Sequence, residues 1–511
     1  MTFIRLDGRS LSVEDVARVA RDPTLGVELD RDACERMVAS RAVVEEWVDR
    51  NAVIYGITTG FGEFANVTIG RDDLERLQEN LIRSHAAGVG DPIPPEVMRA
   101  MICLRVNALA CGYSGVRVET VQRLVDMLNR GLVPVAPSQG SVGSSGDLVP
   151  LAHIVLAAMG EGQVWRDGAI VPSGPELERN GLTPLKLSAK EGLALINGTQ
   201  MMGAYGCLAA DLALRLARTA DVIAAASIEA LRGTDRAFDE RLHAARPHTG
   251  QMTVAANLRA LMSGSRIRES HRHDDDRVQD AYSLRCIPQI HGASRDAIGY
   301  VLGVLSIEIN AATDNPLVFP YPDAPGGEPI EGGNFHGQPL ALALDFLAIA
   351  ASELANVSER RVERMVNGAL SRLPRFLTTV GGLNSGYMIA QYTAASIVSE
   401  NKVLSHPASV DSIPTSANQE DHNSMGSIAA QKGLRVVHNL ASVLAIEYLC
   451  AAQGIDFHQP LRPGDAVSRA VDLLRDHVPH LDADRPLHLE IAIARDLVET
   501  GRVLSVAGEI L

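Results

Sequence analysis

The sequence has few aromatic residues, few cysteines and a deficit of positive charge. Aromatic side chains make up 4% of its 511 residues, and 62 Asp and Glu residues against 47 Lys and Arg residues give a formal net charge of −15. Negative charge repels nucleic acid and anionic membrane surfaces, so a nucleic-acid-binding protein is disfavoured. The six cysteines are scattered without a Cys-x-x-Cys pair, which is typical of reduced thiols in a cytoplasmic protein rather than of a disulfide framework.

The sequence also lacks an uninterrupted apolar run long enough to cross a bilayer. The N-terminal stretch Met1–Ser10 has no apolar signal core, and the longest apolar run, Leu340–Ala351, is interrupted by Asp345. A spanning helix needs roughly 20 consecutive apolar residues. We therefore expect neither export nor membrane insertion.

The pattern that dominates the sequence is helical. Ser12-Val-Glu-Asp15 fits a capping box, and apolar residues at helical spacing follow Asp30 and Asp32. Long runs rich in Ala and Leu with few charges lie at 191–231, 297–311, 340–370 and 426–452. Such runs are typical of helices that bury most of their circumference in a large bundle. The chain is therefore predicted to be mainly α, with the Pro/Gly-rich interval 320–337 as its clearest long loop.

Several familiar catalytic motifs are missing from the sequence. Gly140-Ser-Val-Gly-Ser-Ser-Gly146 lacks both the Gly-Lys-Ser/Thr ending of a phosphate loop and the Gly-x-Ser-x-Gly pattern of a nucleophile elbow. His271-Arg-His-Asp-Asp-Asp276 contains metal-ligand residue types, but contiguous ligands in a charged stretch are more typical of a solvated loop. We therefore expect no metal or nucleotide cofactor.

The most specific signal is the tripeptide Ser144-Ser145-Gly146, which ends a Ser/Gly-rich segment where a helix is predicted to begin at Asp147. Together with motifs elsewhere, it resembles the histidine/phenylalanine/tyrosine ammonia-lyase and aminomutase family. The resemblance covers nearly the whole chain and includes the motifs Tyr55-Gly-x-x-Thr-Gly-Phe-Gly62, Glu191-Gly-Leu-Ala-Leu-Ile-Asn-Gly-Thr-Gln200, Gln279-Asp-x-Tyr-Ser-Leu-Arg-Cys286, Thr313-Asp-Asn-Pro316, Gly333-Asn-Phe-His-Gly337 and Ser416-Ala-Asn-Gln-Glu-Asp-His422.

The resemblance implies that the tripeptide forms a prosthetic group from its own backbone. In the family, an internal Xaa-Ser-Gly cyclises and loses two waters to give 4-methylidene-imidazol-5-one (MIO). Attack of the Gly146 nitrogen on the Ser144 carbonyl requires a tight backbone, which flanking glycines permit, and Ser145 leaves the methylidene by losing its hydroxyl. A position just before a helix would put the ring at the positive end of the helix dipole.

The resemblance also implies roles for residues around this group. Tyr55, on its glycine-rich loop, resembles the family's catalytic base, while Tyr282 and Asn197 resemble polar groups around the ring and the substrate's amine or carboxylate. The family's carboxylate anchor and two wall positions are matched by Arg285, Gln279 and Phe335. A planar guanidinium suits the anchoring of a carboxylate. Without the resemblance, each of these residues could equally be an ordinary packed or ion-paired side chain.

Two positions bear on the substrate side chain. Ser84-His85 resembles the pair found in histidine-specific members, although some tyrosine aminomutases share it. Glu420 resembles the acid of the histidine type, and a carboxylate can accept the N–H of an imidazole but would be left as an unpaired charge beside a phenyl ring. Histidine is therefore the favoured substrate. Structural roles for His85 and Glu420, as a helix histidine and an ion-pair member, are the alternative.

The sequence departs from the usual histidine-lyase pattern at three positions. Thr58 stands where the lyases generally have Asn, Ser144 replaces the more common Ala, and His291 occupies a typically apolar position. Ser144 should not prevent cyclisation, because its side chain is only a ring substituent. Thr58 and His291 could alter the pocket or the movement of the tyrosine loop. A loop that stays closed favours re-addition of the amine, the outcome of the family's 2,3-aminomutases.

The resemblance implies an elongated, mainly α subunit in three parts. These are an N-terminal MIO-bearing domain over 1–200, a central long-helix bundle over 201–425 and a C-terminal helical region over 426–511. It further implies a cytoplasmic homotetramer in which one active site draws on three chains. Three functions are open at this point: a histidine ammonia-lyase that gives urocanate and ammonia, an MIO-dependent 2,3-aminomutase acting on histidine or tyrosine, and an inactive helical scaffold.

Overall fold

The computed structural model describes residues 2–60, 69–70, 73–273, 275 and 277–511. The last two residues of the Tyr55–Gly62 motif lie outside this part of the chain, as do Asp274 and Asp276. Contacts divide the chain into two units. Unit 1 comprises Met1–Asp211, Leu302–Asp345 and Pro407–Gln431, and unit 2 comprises Leu212–Val301, Phe346–His406 and Lys432–Leu511. This division follows contacts, whereas the three parts expected from the sequence follow the order of the chain.

Unit 1 contains the first eight helices: α1 (Val13–Arg21), α2 (Arg31–Asp49), α3 (Leu74–His85), α4 (Pro95–Ala110), α5 (Val118–Asn129), α6 (Leu148–Ala158), α7 (Ser173–Arg179) and α8 (Glu191–Ile196). Their starts follow local signals. The Ser12 hydroxyl accepts the Asp15 N–H at 3.0 Å, and Asp30 accepts the N–H groups of Asp32 and Ala33 at the start of α2. Side-chain acceptors at these positions satisfy the N–H groups that a helix leaves unpaired.

Nine short strands in the described chain also belong to unit 1: β1 (Phe3–Leu6), β2 (Gly26–Leu29), β3 (Val89–Pro92), β4 (Val133–Pro134), β5 (Pro137–Gln139), β6 (Gln163–Arg166), β7 (Ala169–Pro172), β8 (Leu317–Pro320) and β9 (Gly327–Ile330). β1 and β2 pair in parallel, while β3–β5, β4–β6–β7 and β8–β9 are antiparallel. The β8–β9 hairpin, with Leu317 opposite Ile330, occupies part of the interval 320–337 that the sequence predicts to be a loop.

Four long helices continue along the chain from one unit into the other: α9 (Gln200–Ala230), α14 (Ile287–Glu308), α15 (Gln338–Val366) and α18 (Gly426–Asp456). The remaining helices belong to unit 2: α10 (Glu240–Ala244), α11 (Thr249–Leu261), α12 (Arg266–Glu269), α13 (Tyr282–Arg285), α16 (Gly368–Ser371), α17 (Met388–Leu404), α19 (Asp465–Arg475), α20 (Leu487–Glu499) and α21 (Arg502–Ala507). The mainly α prediction and the four long runs are confirmed.

Two of these helices, α15 and α18, are long and apolar enough to cross a membrane. However, 72% of the apolar window of α15 and 78% of that of α18 are buried within the protein. Helices at the core of a folded bundle have the same length and composition. The burial therefore agrees with the expectation that neither helix spans a membrane.

Two groups of buried charged residues in unit 2 form ion pairs. His291 is fully buried, its Nδ1 lies 2.8 Å from Asp221 Oδ1, and Arg295 donates to the other Asp221 oxygen at 2.8 Å. Arg361 and Glu447, both fully buried, form a second ion pair. His291, one of the three departures from the histidine-lyase pattern, thus packs among charged residues in the core of unit 2.

All six cysteines lie in the described part of the chain, and all six are free thiols.

Candidate active site

A cavity of about 1160 Å³ lies in unit 1. Seven of the residues singled out from the sequence line it, although they come from distant parts of the chain: Tyr55, His85, Ser144, Ser145, Asn197, Phe335 and Glu420. Gly146 follows the two serines directly, and Ser84 precedes His85 at the end of α3. The resemblance therefore selects residues that the fold brings together.

The tripeptide forms a tight turn against a second turn at Gly198. Gly146 has φ +72°, and a Cβ added to it would lie 2.2 Å from the Gly198 carbonyl oxygen. That oxygen accepts the Asp147 N–H at 2.7 Å. Glycine is required at position 146 both because the backbone is left-handed and because the two chain segments touch.

Asp147 anchors this turn at the start of α6. Its carboxylate accepts the Ser141 hydroxyl at 2.9 Å and the Met202 N–H at 2.9 Å. Burial raises the pKa of Asp147 to about 6, although these hydrogen bonds oppose the shift. Because α6 begins at Leu148, the tripeptide lies at the helix N-terminus, where the dipole favours negative charge on a neighbouring group.

Asn197 presents an unpaired amide oxygen at the cavity. Its Nδ2 donates to Asp314 Oδ1 at 3.4 Å and to the Asn315 carbonyl at 3.3 Å, and these two acceptors fix the orientation of the amide. The Oδ1 is buried and has no hydrogen-bond partner among the described residues. Because leaving a buried acceptor unpaired is costly, this atom is a candidate acceptor for a substrate N–H donor.

Tyr55 lies half-buried on a loop that is held by hydroxyl groups. The Thr58 hydroxyl accepts the Ile54 N–H at 2.9 Å and donates to the Ala52 carbonyl at 2.5 Å. The Thr59 hydroxyl accepts the Gly56 N–H at 3.2 Å. Thr58, which replaces the Asn usual in histidine lyases, therefore stabilises the base of the tyrosine loop.

The ring of His85 is oriented by the last turn of α3. Its Nδ1 lies 2.8 Å from the Leu81 carbonyl oxygen, to which Ser84 Oγ also donates at 2.9 Å. Burial lowers the pKa of His85, while the Leu81 bond and the Glu420 charge act in the opposite direction. The ring is therefore neutral near neutral pH, with a proton on Nδ1 and an acceptor at Nε2.

Glu420 extends from the loop before α18 to the tripeptide. Its Oε1 accepts the Ser145 hydroxyl at 3.0 Å, and its Oε2 accepts the Thr415 hydroxyl at 2.5 Å. The backbone of Ser416, Ala417 and Asn418 has φ values of 50°, 52° and 70°. Strained conformations of this kind cluster at functional sites. The strained loop fixes a carboxylate between the tripeptide and the wall that contains His85.

Two further histidines line the cavity and were not assigned a role from the sequence. His336 and His422 stack with ring centroids 5.9 Å apart and an interplanar angle of 3°. The Gln338 N–H donates to His336 Nδ1 at 3.3 Å, so Nε2 carries the proton and donates to the His422 carbonyl at 3.1 Å. This bond joins the loop that carries Phe335 to the loop that carries Glu420. His336 lies within the Gly333–Gly337 motif and His422 ends the Ser416–His422 motif, so the sequence contained a signal for both residues.

The remaining three predicted site residues belong to unit 2 and do not line this cavity. Tyr282 is 69% exposed, and the Arg285 guanidinium lies 4.7 Å from the centre of its ring. Arg285 Nε is buried and has no hydrogen-bond partner within the described chain. Gln279 is exposed beside them. A single subunit therefore presents these side chains outside the cavity that contains Ser145.

Metal-ligand residues do not cluster in the described part of the chain: no group of three or more His, Cys, Asp or Glu side chains is arranged to hold an ion. His271, the first residue of the acidic stretch, is buried, and its two ring nitrogens lie 2.8 Å from the Ile267 carbonyl and 3.3 Å from the Gly233 carbonyl. It is a core histidine with both ring nitrogens occupied.

The chain is similar to known proteins over nearly its whole length. The model of the aromatic amino acid lyase family matches residues 11–476. The histidine ammonia-lyase of Caldanaerobacter subterraneus subsp. tengcongensis is 54% identical over 509 residues, which cover 100% of this chain and 99% of that protein. Among solved structures, histidine ammonia-lyase from Trypanosoma cruzi has a TM-score of 0.92 and 46% identity over 99% of this chain and 95% of its own. Tyrosine aminomutase from Streptomyces globisporus has a TM-score of 0.92 and 39% identity, covering 98% of both chains. With the tripeptide turn and the cavity residues described above, these matches establish that the chain belongs to the aromatic amino acid lyase family.

Proposed function

We propose that the protein is a histidine ammonia-lyase, which eliminates ammonia from L-histidine to give urocanate. The observation that carries this proposal is the position of Glu420, whose carboxylate lies 3.0 Å from Ser145 Oγ in the same cavity as His85. An imidazole N–H that reaches this carboxylate finds a charged acceptor. A phenyl ring in the same place would leave the charge without a partner.

The tripeptide fits the MIO group that the family uses. Gly146 is left-handed, its backbone contacts Gly198 and α6 starts directly afterwards, so the tripeptide lies at the positive end of a helix. When formed, the group would supply an electrophile that captures the substrate amine, so that the amine becomes a good leaving group. The residues that would hold it are Asp147, at the start of α6, and Gly198, whose carbonyl oxygen contacts Gly146 and accepts the Asp147 N–H.

The other cavity residues bind the substrate and move its protons. Tyr55 would remove the proton from the substrate Cβ, a role that requires an ionised phenol and therefore a local positive field. The N-terminus of α6 contributes such a field. Asn197 Oδ1 would accept a hydrogen bond from the substrate ammonium, and neutral His85 offers Nε2 as a hydrogen-bond acceptor beside the substrate ring. The substrate is held at both ends, which orients its Cβ for proton removal.

The position of Gln279, Tyr282 and Arg285 outside the cavity supports a homotetramer with shared active sites. These side chains would complete the cavity of a neighbouring subunit, where Arg285 anchors the substrate carboxylate and Tyr282 contacts the ring. Exposed apolar side chains on the long helices of unit 2 also favour association, among them Tyr300, Phe346, Ile389 and Tyr392. Large exposed apolar surfaces are typical of interfaces between proteins. We propose a cytoplasmic location, which suits the six free thiols.

A 2,3-aminomutase is the second candidate, because the cavity would catalyse the same first step. It is supported by the similarity to the Streptomyces globisporus tyrosine aminomutase and by the hydrogen bonds with which Thr58 holds the tyrosine loop. A loop that opens slowly keeps ammonia beside the unsaturated acid and permits re-addition. Incubation with L-histidine distinguishes the two reactions, because the lyase accumulates urocanate and the mutase accumulates β-histidine.

Intact mass and turnover together test the proposal against an inactive scaffold. The purified chain should weigh two waters less than its sequence, and it should convert L-histidine faster than L-tyrosine or L-phenylalanine. Ser145→Ala should retain both waters, remain folded by circular dichroism and lose turnover, because alanine cannot give the methylidene carbon. Full turnover by this variant, or an uncyclised and inactive wild-type chain, would contradict the proposal.

A further inference from the structure

Helix α4 carries two buried arginines, and one of them lies behind the tripeptide. Arg105 is 1% exposed, and Arg99, six residues earlier, is 5% exposed. Burial lowers the pKa of Arg105 to about 10, with the charge of Asp314 opposing the shift, so the guanidinium stays protonated at neutral pH. Burying a charged group is costly unless hydrogen bonds compensate for the lost water. The hydrogen bonds that Arg105 donates therefore identify the part of the structure that it stabilises.

Arg105 donates its hydrogen bonds to the Asn197–Gly198 turn. Its Nη1 lies 2.9 Å from the Asn197 carbonyl oxygen and 2.8 Å from Gln200 Oε1. Gln200 is fixed in turn, since its Nε2 donates to Thr313 Oγ1 at 2.9 Å. The other guanidinium nitrogens, Nε and Nη2, have no hydrogen-bond partner in the described part of the chain. Within the described part of the chain, the guanidinium therefore donates its hydrogen bonds through Nη1.

Gly198 separates the guanidinium from the tripeptide. A Cβ added to Gly198 would lie 2.4 Å from Arg105 Nη1, so the backbone packs directly on the guanidinium. On the other side, the Gly198 carbonyl accepts the Asp147 N–H and touches Gly146. The Arg105 guanidinium thus packs on the Gly198 backbone, and the Gly198 backbone packs on Gly146. Neither glycine has a side chain that would separate these groups.

We infer that Arg105 is a positioning residue that holds the Asn197–Gly198 turn against the tripeptide and directs the Asn197 amide to the substrate. In the cyclisation, the Gly146 nitrogen bonds to the Ser144 carbonyl carbon, and that carbonyl oxygen leaves as water with the amide hydrogens of Gly146 and Ser145. The Ser145 hydroxyl leaves as the second water with the Ser145 Cα hydrogen. Without the Arg105 hydrogen bond to the Asn197 carbonyl, the Gly198 turn would be held less firmly against Gly146, and cyclisation is expected to slow.

The same turn carries Asn197, whose Oδ1 is the unpaired acceptor at the cavity. If Arg105 is removed, the Asn197 carbonyl loses its donor, so the backbone that carries the amide loses one of its supports, while Nδ2 keeps its two acceptors. This part of the inference rests on the proposed function, because it concerns binding of the amino acid. The effect on cyclisation does not, because it is measured on the chain without substrate.

The test compares Arg105→Met and Arg105→Lys with the matched control Arg99→Met. Arg99 lies on the same helix and also donates to backbone carbonyls, but these belong to Val19, Asp22, Leu25 and Leu128. Each full-length chain is synthesised in a cell-free system, and the loss of two waters is followed by intact mass. The kcat and KM for L-histidine are then measured per cyclised chain, and folding is checked by circular dichroism.

We expect Arg105→Met to fold and to lose at least tenfold in cyclisation rate or in kcat/KM. Arg105→Lys should recover part of the loss, because an ammonium group keeps the charge and can reach one of the two acceptors. Arg99→Met should stay within twofold of the wild type. The inference is overturned if Arg105→Met stays within twofold in both quantities, if Arg99→Met shows the same loss, or if lysine recovers nothing.

Gln200→Leu provides a second test if Arg105→Met does not fold. It removes one of the two acceptors of Arg105 and leaves the charge in place. A loss of at least threefold in either quantity is expected, and a variant equal to the wild type overturns the inference. If no wild-type turnover of L-histidine is found, the proposed function fails, but the cyclisation rates still decide the role of Arg105.

Discussion

Replacing Glu420 by glutamine should reduce the conversion of L-histidine and weaken the preference for histidine over phenylalanine. In the structure the carboxylate accepts the Ser145 and Thr415 hydroxyls. Glutamine has nearly the same shape, and its amide can accept one hydroxyl and donate to the other. The substitution therefore removes the charge and leaves the packing of the loop largely unchanged.

The size of the effect follows from the kind of hydrogen bond that is lost. A hydrogen bond to a charged group contributes about 1.5–3 kcal/mol, and one between neutral groups contributes about 0.5–1.5 kcal/mol. The difference of roughly 1–2 kcal/mol corresponds to a loss of about 5–30-fold in kcat/KM for L-histidine. L-phenylalanine has no ring N–H to lose, so its kcat/KM should stay the same or rise as the unpaired charge disappears.

The assay follows urocanate and cinnamate by their absorbance, with the cyclised fraction of each preparation measured by intact mass. Glu331→Gln is the matched control, because Glu331 lines the same cavity but is exposed, so its loss removes an equal charge without the close contact. The reasoning is refuted if cyclised Glu420→Gln keeps kcat/KM for L-histidine within twofold. An equal loss in Glu331→Gln would also refute it, since the effect would then reflect the total charge of the cavity.

Three further predictions concern the turn, the buried acid and the assembly. Gly146→Ala should retain both waters in its intact mass and be destabilised towards urea, because its Cβ would lie 2.2 Å from the Gly198 oxygen; a cyclised and stable variant would contradict the described contact. The pKa of Asp147 is raised from 3.8 to about 6, so the folded state holds this proton more tightly than the unfolded state, and stability is lost as pH rises through this range. Relative to that of Asp147→Asn, the free energy of unfolding of the wild type, measured in urea, should fall by about 3 kcal/mol between about pH 4 and pH 7. If the two proteins show parallel dependences on pH, Asp147 is not a buried acid. Tyr55→Phe and Arg285→Met should each be inactive but regain measurable turnover when co-expressed, and continued inactivity of the mixture would exclude shared sites.

Local sequence signals predicted much of the helical framework. The capping residues Ser12 and Asp30 begin α1 and α2 as expected. Each of these boundaries depends on hydrogen bonds within a few residues of the chain. The β8–β9 hairpin was missed because Pro and Gly dominate its sequence, and its pairing is set by contacts across the hairpin rather than by an alternating apolar pattern.

The candidate site likewise includes residues that the sequence predicted and a contact that it could not predict. Motifs located Ser145, Asn197 and Glu420, and the fold brings all three to one cavity. The motifs could not show that Arg105 lies beneath the Gly198 turn, because that contact joins α4 to a segment more than 90 residues away and no motif includes the arginine. The roles assigned to Gln279, Tyr282 and Arg285 stay predictions, because they depend on a neighbouring subunit.

The layered contact of Arg105, Gly198 and Gly146 bears on how such a protein can change during evolution. At Gly198 and Gly146 the packing depends on main-chain atoms and on the absence of a Cβ, so few substitutions at these two glycines are tolerated. The surfaces that would meet the substrate ring, by contrast, consist of side chains, such as Glu420 on the loop before α18 and His85 at the end of α3. Mutations there can alter which amino acid is accepted while the reactive turn is preserved, and attempts to engineer a new specificity should begin with those positions.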